Sequence, residues 1–364
     1  MAILVISFDG VGDQAFEAMA NDPVTYPNIA RFKSQSIYRG GVRTMFVSNT
    51  YPIHASISTG KLPREHGVIS NYIYDETGGY RWAQLARHIK TETIWDAAYQ
   101  KGLTTAAILW PITCGAANIQ WNLPEVHLEG GQKQLRESLR HGSKCFQLGA
   151  FLRHGTKLGR GVPQPGLDRF STAVTCDVLR QKRPDLTLLH LIAYDTIRHK
   201  VGSEGELLQT ARTSLDENLG KLLDAAGDMT VLIFGDHAHL DVSEEVDLTS
   251  LFGDAVLEQC GGSAFLACTV ANLDVYPWFG RFLTAAELDE SGYAAQGAVC
   301  GVAPKPGYTF DIHPYKSNHG YPADYAGYQV FYALRGQGPL PEPRYGDLRD
   351  LTAIIASELC LDMD

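Results

Sequence analysis

Three stretches of the chain are continuously apolar, and each stops at an aspartate. They are residues 3–9 (ILVISFD), 186–195 (LTLLHLIAYD) and 231–237 (VLIFGDH). Uninterrupted apolar runs of this length are typical of strands that are buried on both faces of a sheet. A fourth run, residues 104–110 (TTAAILW), has the same character but is followed by a proline. The pattern predicts four buried strands, three of which end at an aspartate.

Segments with helical spacing of apolar residues lie between these runs. They are residues 91–102, which open with a Thr/Glu capping signature, residues 171–182, and residues 205–227, which end at a glycine. Strands that alternate with helices predict an α/β fold with a mainly parallel central sheet flanked by helices. Ligands bind such sheets beyond the carboxyl ends of the strands, so the three aspartates are expected to meet at one edge.

Two long segments break this alternation. Residues 111–168 are rich in Gly, Pro, Gln and His, and residues 241–312 are irregular and contain several glycines. We interpret both as insertions or cap elements over the sheet edge of a single domain that spans residues 1–364. The length of the chain fits one large domain with insertions better than one ordinary core.

Composition and net charge limit the classes of function that are compatible with the chain. Hydrophobic residues make up 45% of the chain and charged residues 20%, which is typical of a globular protein in water. The formal net charge of -10 argues against a basic surface that binds nucleic acid. A small anionic substrate stays compatible with this charge, because bound cations would invert the field inside a pocket. The oligomeric state is not encoded in any pattern we find.

The lengths of the apolar runs and the residues that flank them indicate where in the cell the protein is located. No apolar stretch approaches the roughly 20 residues that a membrane helix needs. The N-terminal run has no basic segment before it and stops at Asp9, so it is interpreted as a strand and not as a signal peptide. The seven cysteines form no CxxC pair and are odd in number. A cytoplasmic protein without a membrane span is expected.

Candidate metal ligands gather near the predicted strand ends. They are Asp9, Asp195, His199, Asp236 and His237, together with His319 in the late segment SNHGY. The spacing of Asp195 and His199 places both on one face of a helical turn. Mixed aspartate and histidine ligands suit zinc, manganese or iron, and six such groups are enough for two metal ions. Each residue alone is more typical of a cap or a surface position, so the prediction depends on their joint placement.

Thr50 is the candidate nucleophile. It precedes Tyr51, Pro52 and a short apolar segment that runs to Gly60. Because proline is favoured in the first helical turn, Thr50 is expected near the N-cap of a helix, where backbone N–H groups and the helix dipole favour an anion. An alcohol needs activation before it attacks, and a bound metal lowers the pKa of the oxygen it holds. The alternative is a plain capping threonine.

The chain resembles a known family in six segments that occur in the family's order. They are FDG (8–10), NTYPIHASISTGKLPREHGVISN (49–71), ILWPIT (108–113), DTIRH (195–199), GDH (235–237) and NHGY (318–321). The family is that of the type I phosphodiesterases and nucleotide pyrophosphatases, within the alkaline phosphatase superfamily. The resemblance implies an alkaline-phosphatase-like α/β fold and an enzyme that hydrolyses small-molecule phosphodiesters or nucleotide pyrophosphate bonds.

The same resemblance implies the roles of the candidate residues. Two metal ions are implied, with zinc favoured and manganese or iron as alternatives. Thr50 matches both a metal ligand and the nucleophile that forms a covalent phosphothreonine. The ligands of the first metal match Asp9, Thr50, Asp236 and His237, and those of the second match Asp195, His199 and His319.

One departure from the family pattern concerns the substrate. Ile53 occupies the position where nucleotide-cleaving members carry an asparagine that holds a phosphoryl oxygen, and isoleucine has no side-chain donor. Backbone amides, the metals or another side chain must then hold that oxygen. A phosphomonoesterase, a phosphonate hydrolase or an inactive ligand-binding homologue are therefore kept as alternatives.

The remaining candidates surround the nucleophile. Tyr51 and Trp110 are predicted to stack on a base or another flat leaving group, with core packing as the alternative for each. Ile53 and His54 complete the predicted substrate contacts, and His54 is also compatible with a structural role. A second departure, GDHAH, leaves His239 either as an additional site residue or as a surface residue.

Overall fold

The computed structural model describes residues 2–74, 80–128, 133–159, 164–336 and 343–363. The strands are β1 (Ile3–Phe8), β2 (Ile37–Val42), β3 (Tyr72–Tyr74), β4 (Tyr80–Trp82), β5 (Thr105–Ile108), β6 (Trp121–Leu123), β7 (Leu186–Leu191), β8 (Thr230–Gly235), β9 (Leu240–Glu245), β10 (Val256–Gln259), β11 (Ala264–Leu266), β12 (Phe279–Phe282), β13 (Cys300–Pro304), β14 (Gly307–Thr309), β15 (Ser317–Asn318) and β16 (Val330–Arg335).

The α-helices are α1 (Asp13–Ala20), α2 (Pro27–Ser34), α3 (Thr50–Thr59), α4 (Pro63–His66), α5 (Ile94–Gln100), α6 (Gln134–His141), α7 (Lys144–His154), α8 (Gly166–Gln181), α9 (Ala193–Val201), α10 (Glu206–Ala226), α11 (Leu248–Phe252), α12 (Ala285–Glu290) and α13 (Asp350–Leu359). Among the described residues, none of these helices combines the length and the apolar character that crossing a membrane requires.

A seven-stranded central sheet organises the fold. Its strands follow the order β2–β16–β8–β1–β7–β5–β6. The five strands from β8 to β6 run parallel, whereas β16 is antiparallel to both β8 and β2. All four apolar runs identified in the sequence form strands of this parallel part. The predicted mainly parallel α/β sheet is confirmed.

The sheet is buried on both faces by helices. Along β1, Leu4 and Ile6 belong to the apolar cluster that contains residues of α8 and α10, whereas Ile3 and Val5 belong to the cluster that contains residues of α3, α5 and α13. This alternation follows from the two-residue period of a strand. Continuous hydrophobic sequence in β1 thus reflects two packed layers, one on each side of the sheet.

The structure corrects the predicted limits of the second apolar run. Strand β7 ends at Leu191, and Asp195 is the third residue of α9 and not a strand-end residue. The cause is Asp168 of α8, whose carboxylate accepts the backbone N–H groups of Ile192 and Ala193 at 3.0 and 3.1 Å and so stabilises the helix start. Asp9 and Asp236 follow β1 and β8 directly, as predicted.

The two irregular segments have different structures. Part of residues 111–168 forms β6, which is the edge strand of the central sheet itself, so this segment does not lie entirely over the sheet edge. Its residues 129–132 and 160–163 lie outside the described residues. Residues 241–312 include a four-stranded antiparallel sheet, β10–β11–β13–β12, with its own apolar cluster. That these segments cap the site stays a prediction.

Candidate metal centre

A cavity of about 320 Å³ lies beyond the carboxyl ends of β1 and β7. The predicted site residues that line it are Asp9, Thr50, Tyr51, Asp195, His199 and His319. Asp236 and His237 are fully buried, and His237 contacts Asp236, Asp9 and Thr50. All seven predicted metal ligands therefore come together, although they derive from five separate parts of the chain.

In the first ligand group, the distances from His237 to the other three members are close to those between the ligands of a tetrahedral metal ion. His237 Nε2 lies 3.3 Å from Asp9 Oδ1, 3.4 Å from Thr50 Oγ1 and 3.6 Å from Asp236 Oδ2. Ligands at about 2.0–2.1 Å from a zinc ion in tetrahedral geometry lie about 3.3–3.4 Å from one another. Asp9, Asp236 and His237 thus form a group that fits a metal ion, with the Thr50 hydroxyl as its fourth member.

Each carboxylate of this group uses one oxygen for hydrogen bonds within the protein, and its other oxygen lies 3.3–3.6 Å from His237 Nε2. Asp236 Oδ1 accepts the backbone N–H groups of Gly10 and His237 at 3.0 and 2.8 Å, and Asp9 Oδ2 lies 3.1 Å from His190 Nε2. Asp236 Oδ2 and Asp9 Oδ1 are buried and have no hydrogen-bond partner. Unpaired buried acceptors are costly, and a cation among them would remove that cost.

The second ligand group lies on α9 and near β15. Asp195 Oδ1 is 3.4 Å from His199 Nε2 and 4.0 Å from His319 Nε2. His199 Nδ1 bonds to the Ser317 carbonyl at 2.9 Å, and His319 Nδ1 bonds to the side-chain oxygen of Asn49 at 3.0 Å. Because both acceptors fix the proton on Nδ1, each Nε2 lone pair is left for a metal.

Thr50 is the first residue of α3, and Asn49 holds the N-cap position. Thr50 thus lies next to the N-cap, as expected, and is not itself the capping residue. The Thr50 carbonyl accepts a hydrogen bond from His54 Nδ1 at 2.8 Å, and His54 Nε2 lies 3.0 Å from the hydroxyl of Ser7 on β1. His54 thereby joins the first turn of α3 to the central sheet and helps to fix the position of Thr50.

Comparison with known proteins decides the family. Residues 3–326 match the family model described as type I phosphodiesterase / nucleotide pyrophosphatase. The chain belongs to that family.

The relatives of this phosphodiesterase-family chain are distant in sequence. Venom phosphodiesterase 2 of Crotalus adamanteus is 23% identical over 235 residues, which are 60% of this chain and 24% of that protein. The chain thus corresponds to about a quarter of the length of that relative. Ectonucleotide pyrophosphatase/phosphodiesterase family member 1 of Homo sapiens is 31% identical over 91 residues, which are 23% of this chain and 10% of that protein.

Solved structures of similar fold cover 98–100% of the phosphodiesterase-family chain. Murine ectonucleotide pyrophosphatase / phosphodiesterase 5 has a TM-score of 0.68 at 16% identity, covering 100% of this chain and 96% of its own. Phosphonoacetate hydrolase from Sinorhizobium meliloti 1021 has a TM-score of 0.67 at 18% identity, covering 98% and 95%. These likenesses confirm the predicted alkaline-phosphatase-like fold.

The predicted substrate contacts are only partly near the cavity of this phosphodiesterase-family chain. Tyr51 lines it, and its hydroxyl donates to Glu125 Oε2 at 3.1 Å. Ile53, His54 and Trp110 are fully buried, and the described residues that line the cavity do not include them. Only the first turn of α3 reaches the cavity, because the helix then runs into the apolar layer that contains Ile53. The expected stacking by Trp110 is corrected to core packing.

Several residues of the site carried no sequence prediction. Trp82 and His127 stack on each other on the cavity wall with ring centroids 3.7 Å apart, and they lie in segments without a clear periodic pattern. His239, left open between two readings, is buried and has Nε2 2.7 Å from Asp195 Oδ1. His190 contacts Asp9, and the sequence signal for it was a single histidine within a predicted buried strand.

The buried acids and imidazoles shift one another's pKa values. Burial raises the pKa of Asp236 to about 7. Burial opposes protonation of His237 and His190, but the neighbouring carboxylates outweigh it and raise the pKa of each to about 9. Burial lowers the pKa of His319 well below its ordinary value, with His237 and His199 acting in the same direction. The first group therefore holds protons that a metal ion would displace on binding.

Asn49→Ala is expected to weaken binding of the second metal ion by about 10- to 100-fold, because it removes the acceptor that orients His319. The Asn49 side chain makes no capping bond to α3, so the helix start is kept. Zinc competition with a chelating dye measures the affinity. Asn118→Ala is the matched control, since Asn118 donates to Asp96 away from the cavity. Equal zinc affinities in the two variants would contradict the role of Asn49.

Proposed function

We propose that this chain hydrolyses phosphodiester or nucleotide pyrophosphate bonds in small molecules, with Thr50 as the nucleophile in a site that holds two divalent cations. The observation that carries the proposal is the convergence of Thr50 Oγ1, Asp9 Oδ1 and Asp236 Oδ2 around His237 Nε2, at 3.3–3.6 Å. Membership of the type I phosphodiesterase / nucleotide pyrophosphatase family supports the reaction class.

Two sets of residues would hold the cations. The first set is Asp9, Thr50, Asp236 and His237, and the second is Asp195, His199 and His319. When bound, two divalent cations supply positive charge that lowers the pKa of a hydroxyl and stabilises charge on the attacking and leaving oxygens. The donor types favour zinc, with manganese or iron as alternatives.

The contacts around Thr50 support its proposed role as the nucleophile. His54 fixes the Thr50 carbonyl, and α3 begins at Thr50 itself. In the proposed reaction, Thr50 Oγ forms a bond to phosphorus as the bond to the leaving group breaks in line with it. Water then hydrolyses the phosphothreonine ester and restores the hydroxyl.

Asn71 is the proposed donor to the phosphoryl oxygen in place of the residue at position 53. Tyr51 N–H is already bonded to Asn71 Oδ1 at 2.9 Å, and Pro52 has no N–H, so neither of these two residues offers a backbone donor to an oxyanion. Because Asn71 Oδ1 accepts that bond and Asn71 lines the cavity, its amide N–H groups are the free part of the side chain. Substitution of one such donor costs about 10²- to 10³-fold in kcat.

We expect bis(p-nitrophenyl) phosphate to be cleaved with a kcat/KM at least about tenfold above that of p-nitrophenyl phosphate, a difference of about 1.4 kcal/mol in the barrier. Glu125 and Asp311 on the cavity wall disfavour the second negative charge of a monoester, whereas a diester carries one. Steady-state kinetics of the zinc-loaded protein measures the ratio, and dipicolinate should abolish both activities.

Each alternative function predicts a different experimental result. A ratio below one would favour a phosphomonoesterase, and release of phosphate from phosphonoacetate would favour a phosphonate hydrolase. Failure of the protein, prepared without chelators, to retain close to two metal ions per chain would favour an inactive homologue.

A further inference from the structure

His239 is a buried histidine beside the second ligand group, and the proposed function gives it no role. Its side chain is fully buried, and its Nε2 atom lies 2.7 Å from Asp195 Oδ1. The same oxygen lies 3.4 Å from His199 Nε2 and 4.0 Å from His319 Nε2. Three imidazole nitrogens therefore converge on one carboxylate oxygen, and the nearest of them belongs to His239.

The hydrogen bonds behind His239 determine which of its ring nitrogens carries the proton. The Ser317 hydroxyl donates to the Arg198 carbonyl at 2.8 Å, so its single hydrogen is already committed. His239 Nδ1 lies 3.0 Å from the oxygen of that hydroxyl, which is left only to accept. The neutral imidazole of His239 therefore carries its proton on Nδ1 and presents the lone pair of Nε2 to Asp195.

His199 and His319 have the same arrangement as His239. Each donates from Nδ1 to an oxygen of the protein, and each presents Nε2 to Asp195. Three nitrogen lone pairs that face a carboxylate oxygen repel it unless a cation lies among them. An imidazolium at His239 is disfavoured once a divalent cation occupies this group, because two positive charges would then lie close together in a buried space.

Packing holds the His239 ring in this position. The ring lies against the backbone of Gly10, where an added Cβ atom would come within 2.7 Å of His239 Nε2 and 3.1 Å of Asp195 Cβ. Glycine at this position is thus what allows the histidine to approach Asp195 so closely. On the other side, Arg198 Nη2 donates to the His239 carbonyl at 3.4 Å. The Nε2 atom is therefore directed at Asp195 by contacts that do not involve a metal.

We propose that His239 is a fourth protein ligand of the second cation, together with Asp195, His199 and His319. This inference rests on the proposed function, which places a cation in that group. One carboxylate and three imidazoles complete a set of four donors of the types that zinc accepts. The additional imidazole raises the affinity of the second group for its cation.

The test measures zinc affinity by competition with a chelating dye in the wild type and in His239→Gln. The glutamine amide reaches about as far as the imidazole Nε2 and can donate an N–H to Asp195, so it keeps a hydrogen bond and removes the imidazole nitrogen. We expect the affinity for the second ion to fall by more than about 100-fold, beyond the range for loss of an orienting partner. His154→Gln is the matched control, because His154 Nε2 faces Asp177 Oδ2 at 2.8 Å outside both ligand groups.

NMR of the cadmium-loaded full chain with isotopically labelled histidine detects the ligand bonds directly, because a cadmium nucleus couples to each nitrogen that binds it. The second ion of the wild type is expected to couple to three imidazoles, and His239→Gln should lose one of these couplings. A smaller loss of zinc affinity in His239→Gln, or only two coupled imidazoles on the second ion of the wild type, would overturn the inference and leave the proposed function intact. A wild-type chain that binds fewer than two ions would instead contradict the proposed function.

Discussion

Thr50→Ala is expected to lower kcat for bis(p-nitrophenyl) phosphate by at least about 10³-fold, because it removes the attacking oxygen and leaves only cation and binding effects. The hydroxyl is the one alcohol that lies 3.4 Å from His237 Nε2 within the first ligand group. Thr50→Ser keeps an oxygen on the same Cβ and is expected to retain a substantial part of the rate. Steady-state kinetics together with metal analysis of each preparation measures the effect.

The control for this substitution lies on the same helix. Thr59→Ala removes a hydroxyl that bonds to the Ala55 carbonyl at the far end of α3, and it should leave kcat unchanged. If Thr50→Ala hydrolyses the diester at close to the wild-type rate with its metals in place, a water molecule and not Thr50 is the nucleophile. Mass spectrometry of quenched turnover should also show a phosphoryl adduct on Thr50 in the wild type.

Asp236→Asn is expected to remove the first metal ion and to lower kcat/KM by at least about 10²- to 10³-fold. The substitution is nearly isosteric, and its oxygen still accepts the backbone N–H groups of Gly10 and His237. What changes is the unpaired Oδ2, which becomes an amide group that cannot bind a cation. Metal content by plasma mass spectrometry should fall from two ions per chain to one.

Asp216→Asn is the matched control for that change. Asp216 is also buried and accepts backbone N–H groups, in this case those of Asn28 and Ile29 at the start of α2, far from the cavity. Its metal content should stay at two ions per chain. Retention of two ions by Asp236→Asn would show that the unpaired oxygen is not a ligand.

The sequence predicted the fold correctly for the strands that are buried on both faces of the central sheet. Strands β1 and β8 are continuously apolar because each packs against helices on both faces, and the aspartates that follow them mark the sheet edge. The C-terminal end of β7 was predicted incorrectly. Asp168, which is distant in sequence, accepts the N–H groups at the start of α9, so the helix begins directly after the strand. Long-range capping leaves no periodic signal near the element that it ends.

The ligands were more predictable than the cavity wall. Asp195 and His199 share a helix face, so their spacing alone indicated that they meet. Trp82, His127 and Glu125 reach the cavity only through tertiary packing of irregular segments, and no local pattern marked them. Ile53 and Trp110 were predicted to contact the substrate. Ile53 is close to Thr50 in sequence, and Trp110 belongs to one of the family motifs, but both side chains are buried in the core.

A crystal structure of the zinc-loaded protein, with anomalous scattering recorded at the zinc edge, tests the central claim most directly. Two peaks are predicted, one among Asp9, Thr50, Asp236 and His237, and the other among Asp195, His199 and His319, with Thr50 Oγ in contact with the first. Zinc bound only outside these two groups, or a Thr50 hydroxyl remote from both peaks, would contradict the account.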